Sequence, residues 1–400
     1  MPSEESRHEV STRRDTLKYG GILAASLALA GCSDLAGQNE TTAPSATESY
    51  SVELSPVGEV TFDEIPSNVM AYSPHYADML VALGHDDALN SLGFPDGYGQ
   101  TLSYFFEPFD GVDFDVNGLT ELFSNGSFDK EVLYELDSDV HLMDPAWAST
   151  FDGWDKTDTD EIRDNVGPWF GNRYSRQHAS PTEKWADGYR YYTIWELTEK
   201  VAAVFQEEDR FEALQAEYED LYATIRANLP PENERPTVGL VTYYDDTFHP
   251  YRISGPGFGK AHTRPLGARD AFANSDRTYA ENYEAGYDFE GMFEIDPDVI
   301  LHNFAVTPFY DWEAVVDAIE NDPLGQELTA IRNDRFYASG QSFQGPLQTL
   351  LQLEMTAKQV YPEQFGEWPR YETGDSYPEF DDDEQLFDHE RVANIVSGEF

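Results

Sequence analysis

Cysteine is all but missing: the 400 residues contain one, Cys32. A disulfide framework is therefore excluded, as are thiolate-held iron–sulfur and blue-copper centres, and any folded core must cohere by apolar burial. Positive charge is scarce as well. There are 25 Lys and Arg against 76 Asp and Glu, a formal net charge of −51. No basic patch exists for a nucleic-acid backbone, so nucleic acid is excluded as a partner. The apolar run Ile22–Ala30 sits in a charge-free stretch, Tyr19 to Gly31, of only 13 residues. A spanning helix needs roughly 20. Enzyme signatures are lacking too. There is no G-x-S-x-G elbow, and Gly255-Pro-Gly257-Phe-Gly259-Lys260 is too proline-broken to cradle a phosphate. His75, His85, His141, His249, His262 and His302 are scattered, with no pair at the short spacing of a metal site, so no protein-held metal is expected. Carboxylate pairs abound, but a charge of −51 predicts abundance, so no glycosidase pair can be singled out.

What is present begins with an address. Arg13-Arg14 is followed by the apolar run and then by Leu29-Ala30-Gly31-Cys32. The order is that of a twin-arginine export signal ending in a segment that resembles a lipobox, which spans residues 1–32. The resemblance implies a lipid on Cys32 as the only covalent attachment. It also implies tethering to the outer face of the cell membrane, with the Ser/Thr/Ala-rich 33–49 as flexible tether. About 370 residues follow Cys32, enough for two domains. Their acidity is spread along the chain, as in proteins of salt-loving archaea, where salt screens self-repulsion. Disorder is excluded by 14% aromatic and 40% apolar content.

The stretch Glu207–Leu229 carries Phe211, Leu214, Tyr218, Leu221, Tyr222, Ile225 and Leu229 at steps of three and four, one stripe of an α-helix. Acidic residues load its first turn and Pro230-Pro231 end it. On either side the chain alternates strand and helix. The spacing predicts strands in Tyr50–Phe62, broken at Pro56 and Gly58, then a strand ending in Ser73-Pro74, a helix His75–Gly84 and a strand Leu89–Phe94. It predicts a helix over Lys184–Phe205, a strand Thr237–Tyr244, and helices over Leu266–Asn274, Asp311–Asn321 and Pro346–Val360. One unit occurs twice: Phe128–Val140 and Asp288–Ile300 each place a glutamate, Glu131 or Glu290, eight residues before an Asp-Val strand start.

These features, in this order, resemble the extracytoplasmic substrate-binding proteins of ABC importers for ferric siderophores and vitamin B12. The resemblance rests on Val69–Gly84, on the Glu-helix-Asp-Val unit in each half, and on Gly345-Pro346-Leu347 opening a helix that ends at Val360-Tyr361-Pro362. It covers Val60 to Phe365; Ser138, where the family has proline, and the acidic insertion 144–172 depart from it. It implies an α/β fold of two Rossmann-like lobes joined by one long α-helix, with a ligand cleft between them. The divisions would be 50–206, 207–229 and 230–365, with an acidic segment 366–400 beyond. It also implies that Glu131 and Glu290 pair with arginines of the importer's permease subunits.

A ligand in such an architecture lies where loops leave the strand ends. That marks His75, Tyr76 and Trp147 in the first lobe, and Tyr243, Tyr244, His249, Tyr251, Arg252, Phe258, Phe304, Phe309 and Phe343 in the second. Aromatics give contact area to a large chelate, and arginine forks onto an anionic one. Arg252 could equally pair locally with Asp245 or Asp246. The expectation is a monomeric, non-enzymatic, lipid-anchored protein that delivers a ferric siderophore or cobalamin-like chelate to an ABC importer. An exported hydrolase on a two-lobed scaffold, or a cell-surface sensor reusing the binding fold, are the alternatives.

Overall fold

The computed structural model describes residues 49–124, 126–273 and 279–400. The twin-arginine segment, Cys32 and almost all of the tether lie outside them. No helix among the described residues is long and apolar enough to cross a membrane.

An antiparallel hairpin, β1 (Tyr50–Leu54) and β2 (Gly58–Phe62), opens the fold and breaks at Pro56 and Gly58 as the sequence predicts. The first lobe is a parallel sheet. Its strands are β3 (Val69–Ala71), β4 (Leu89–Leu92), β5 (Thr120–Glu121) and, after the small hairpin β6 (Phe123–Ser124) and β7 (Ser127–Phe128), β8 (Val140–Leu142). They run in the order β5-β4-β3-β8. Helices Pro74–Ala82 and Pro95–Phe106 lie between the strands in sequence. The second lobe holds β9 (Thr237–Tyr244), β10 (Thr247–Tyr251), β11 (Arg269–Asp270), β12 (Val299–His302) and β13 (Phe336–Ala338) in the order β10-β9-β12-β13, with β11 on β9. Parallel strands buried on both faces need continuous apolar runs, which Val299-Ile300-Leu301 supplies.

The repeated unit is built alike in both lobes. Helix Lys130–Leu136 is capped by Asp129, whose side chain accepts from Glu131 N–H at 3.0 Å. Helix Phe289–Ile295 is capped by Asp288, which accepts from Gly291 N–H at 2.8 Å. Each ends on an aspartate in the left-handed region, Asp137 at φ 46° and Asp296 at φ 42°. The aspartate two residues later then holds the start of the neighbouring strand. Asp139 accepts from the N–H groups of Ser67 and Asn68 at 2.8 and 2.9 Å, and Asp298 from that of Thr237 at 2.7 Å.

Two predicted helices are corrected. Leu266–Asn274 is not helical where described: Gly267 turns at φ +56°, and Arg269–Asp270 pairs with the start of β9. Lys184–Phe205 is helical only over Glu183–Ala186 and Ile194–Phe205. Gly188 at φ +76° breaks it, and Thr193 and Glu196 form a capping box that starts the second piece.

The Glu208–Asn228 helix buries Phe211, Leu214, Leu221 and Ile225, with Tyr218 partly covered. It packs on Ile194–Phe205, on the Arg264–Leu266 turn of the second lobe, on Pro346–Val360 and on the C-terminal helix His389–Val396. The centre of the molecule is nevertheless Pro346–Val360, buried at every position. It packs on both first-lobe helices, Pro74–Ala82 and Pro95–Phe106. Its N-terminus is met by the buried Asp78, which accepts from Leu347 and Gln348 N–H at 3.0 and 2.9 Å. Farther along it, Glu354 accepts from Tyr377 Oη, Leu386 N–H and His389 Nε2 at 2.9, 2.7 and 3.1 Å, fastening the C-terminal segment.

Candidate ligand site

A cavity of about 300 Å³ lies between the lobes, walled by Arg176 and His178 from one loop, Tyr251, Arg252 and Lys260 from a second, and Phe304 and Phe343 from two more. Among the described residues no carboxylate lines it. The segment 172–178 follows the acidic insertion; it makes a 3-10 turn at Tyr174–Arg176, and side-chain hydrogen bonds anchor it. Asn172 donates from Nδ2 to the carbonyls of Ser55 and Arg190 at 2.7 and 2.9 Å and accepts from Ser175 N–H at 3.1 Å. The buried Asp144 accepts from Arg173 N–H at 2.9 Å and from Tyr189 Oη at 2.5 Å. Gly171 permits this approach, because a Cβ there would stand 2.3 Å from the Met143 carbonyl carbon.

Held in this way, Arg173 lies 3.7 Å over the Trp147 ring, and Arg176 lies 4.3 Å over Phe343 from the cavity side. Such stacking fixes a guanidinium without consuming its N–H donors. Opposite, the segment Gly255–Lys260 runs against Arg176: a Cβ on Gly257, which sits at φ +91°, would be 2.5 Å from the Arg176 carbonyl oxygen. The glycines thus serve close approach of two loops. Phe304 itself holds φ 66°, a strained conformation for an aromatic residue. Tyr98 and Phe309 continue the aromatic wall, 5.9 Å apart, with Tyr98 5.8 Å from Phe343.

The electrostatics follow from placing cations where water and carboxylates are few. Among the described residues the Nε–H of Arg173 and of Arg252 and the Nδ1 of His178 are buried without a hydrogen-bond partner. Burial, then Arg176, Arg173 and Lys260, push His178 far below its ordinary value, and burial followed by Arg173 and Arg176 does the same to His75. Both rings are neutral near pH 7. Burial and Arg176 lower Lys260 to about 7. Buried donors in surplus beside neutral aromatic walls can accept a multiply charged anion with a planar or chelate periphery.

The residues marked in the sequence fall into three groups. Arg252, Phe304, Phe343 and Tyr251 line the cavity, and Arg252 has no ion pair with Asp245 or Asp246. His75 and Trp147 stand just behind it, His75 stacked on Phe343 at 6.3 Å and 5.3 Å from Phe258, Trp147 beneath Arg173. The rest are elsewhere. Tyr76 is buried and its hydroxyl accepts from Asn172 N–H at 2.8 Å, so it braces the arginine loop without facing the cavity. Tyr243 is core, packed on Phe248 at 4.7 Å. Tyr244 is 40% exposed and stacks on His249. Neither lines the cavity. Glu131 and Glu290 are exposed in the first turns of their helices. Among the described residues no three His, Cys, Asp or Glu side chains are grouped to hold a metal ion.

Arg173, Arg176, His178 and Lys260 were not among the residues expected to bind. A signal for them exists in the composition. Acidic residues number 76 of 400, roughly one in five, yet 165–182, 247–269, 299–310 and 335–353 contain none. Every residue lining the cavity belongs to one of these four stretches.

Residues 177–342 match the profile of a family described as periplasmic binding protein. No protein of curated function matches the chain. Solved structures do. A periplasmic binding protein from Veillonella parvula superposes with a TM-score of 0.55 at 16% identity, over 79% of this chain and 92% of its own. The petrobactin-binding protein of Bacillus subtilis gives 0.53 at 15%, over 78% and 98%. The iron-uptake ABC transporter substrate-binding protein of Streptococcus pneumoniae gives 0.52 at 15%, over 78% and 98%. At such identities the likeness is one of fold. Proteins of this kind bind and release their cargo without covalent chemistry, outside the cytoplasm. Residues 177–342 are thus similar to a periplasmic binding protein domain, and the chain has the two-lobed α/β fold seen in these solved substrate-binding proteins.

Proposed function

We propose that the protein captures an anionic iron chelate of the siderophore type between its lobes and passes it to the permease subunits of an ABC importer, held at the membrane by a lipid on Cys32. The observation that carries this reading is the convergence of Arg176, Arg252 and Lys260 on one cavity that, among the described residues, no carboxylate lines, in a chain of net charge −51. Arg173 stands on Trp147 beside them. A surplus of buried donors facing aromatic rings favours an anionic chelate over the less charged cobalamin. The petrobactin-binding relative supports the same class of cargo. In this reading 50–206 and 230–365 are the two lobes, the 207–229 helix sets their spacing, 33–49 gives reach from the membrane, and one chain suffices for the site.

Tryptophan fluorescence in molar salt tests the cargo, because Trp147 lies under the Arg173 guanidinium. Iron-saturated tris-catecholate should quench it at low concentration, with ferric hydroxamate and cobalamin weaker. Arg252→Gln should weaken the anionic chelate by about 10- to 100-fold, the range for losing a charge-assisted hydrogen bond. No response to any of the three overturns the cargo class.

A further inference from the structure

Lys260 differs from the arginines around it. Its side chain is 7% exposed, on the cavity wall, with Nζ 4.9 Å over the Tyr251 ring. Among the described residues no carboxylate is at ion-pair distance from it, whereas Lys130 and Lys156 both have such partners. The groups facing it come from four directions. Arg176 and His178 belong to the opposing loop, Arg264 and His262 to the turn that follows, Asp270 to β11 and Tyr251 to β10. Of the charged groups only Asp270 favours a charged amine, and its carboxylate is engaged by Ser254 Oγ at 3.2 Å and Phe272 N–H at 3.0 Å. Burial and the two arginines prevail over it. The neighbouring His262 and His178 are held neutral by the same surroundings.

We propose that Lys260, buried on the cavity wall with no carboxylate among the described residues at ion-pair distance, makes ligand capture proton-linked, so that entry of an anionic ligand takes up a proton. The proposal rests on the anionic-cargo reading above. The physical reason is reciprocal: an anion near the amine supplies the opposite charge that the empty site lacks, and whatever raises the amine's proton affinity is itself bound more tightly by the protonated form. An arginine in this place would stay charged throughout and could not respond. The sign is definite. At acidic pH the amine is already charged and binding is insensitive to pH. Above about 7 each binding event must bring a proton, and affinity falls by up to about tenfold per pH unit until the occupied-state value is reached.

The test has two arms on the full folded chain in molar salt. In the first, the lysines are labelled with carbon-13 and the Lys260 signal is assigned by its loss in Lys260→Arg. Its titration midpoint in the empty protein should fall near 7, and a midpoint near the ordinary lysine value overturns the proposal. In the second, calorimetry with iron-saturated tris-catecholate at pH 8 is run in two buffers of unlike ionisation enthalpy. The wild type should take up a sizeable fraction of a proton. Lys260→Arg should bind without proton uptake and with flat pH dependence, while Lys260→Gln binds more weakly at neutral pH. Binding by the wild type without proton uptake overturns the role of Lys260 and leaves the cargo reading standing. Failure of any chelate to bind overturns both.

Discussion

At the scale of single residues, the most consequential position outside the cleft is Asp78. Its carboxylate, wholly buried on a first-lobe helix, accepts from the first N–H groups of the central helix Pro346–Val360. Desolvation outweighs these two bonds and raises it from 3.8 to about 7. A carboxyl raised in the folded state lends its stability fully below the unfolded value and loses it as pH climbs through the folded one. Asp78→Asn, which does not titrate, should therefore gain on the wild type by up to about 4 kcal/mol as pH rises from 4 to 7. Chemical denaturation of both proteins at several pH values measures this, and a constant difference refutes it. His141 and His302 slope the other way: burial lowers each to about 4, so wild-type stability also erodes as pH falls below the ordinary histidine range. Aspartate capping is legible in sequence, as at Asp129 and Asp288. Asp78 is not, since its partners lie 269 and 270 residues away.

At the scale of elements, local rules located those that obey them. The stripe of the Glu208–Asn228 helix, the Glu-helix-Asp-Val units and the Thr237–Tyr244 strand stand where periodicity and caps put them. Helix Pro95–Phe106 did not announce itself, because its two glycines argue against a helix. They are there for contact: a Cβ on Gly97 would meet Phe309 of the other lobe at 2.6 Å, and one on Gly99 would meet Val116 at 2.2 Å. Where the acidic C-terminal segment packs is likewise not legible until Glu354 is seen to hold it. Lys358 adds to that hold, donating to the carbonyls of Phe365 and Glu384 at 2.9 and 2.7 Å. Glu354→Ala would leave Leu386 N–H and His389 Nε2 without their acceptor, while Tyr377 Oη keeps the Leu351 carbonyl, at a cost of about 2 kcal/mol or more. The expected outcome is a lower melting temperature and early proteolytic cutting within 366–400. A segment as resistant as in the wild type would count against this role.

For the whole molecule, the surface charge and the cleft charge have opposite signs. Glu131 and Glu290 stand exposed on equivalent helices of the two lobes, so they present matched acidic points on a body whose spacing is set by helices buried between the sheets. We expect the double variant Glu131→Ala/Glu290→Ala to keep its chelate affinity within about twofold, since surface changes away from a site have small effects. Uptake by cells carrying it should nevertheless collapse. Iron transport at the wild-type rate would remove the two glutamates from the contact with the permease.

What the sequence determined by itself was what local spacing and composition carry: an α/β alternation repeated in two halves and a long amphipathic helix. Even the cleft left a trace there, as four stretches without a carboxylate. Only the tertiary structure decided that those stretches meet, that Arg176, Arg252 and Lys260 line one cavity with Arg173 beside them, and that Tyr243 and Tyr244 do not line it. It also moved the organising role from the Glu208–Asn228 helix to Pro346–Val360. The reason is physical: a helix covered on all sides has no polar face to show a period, and its buried Gln348, Gln352, Glu354 and Lys358 read as surface residues until their partners are known.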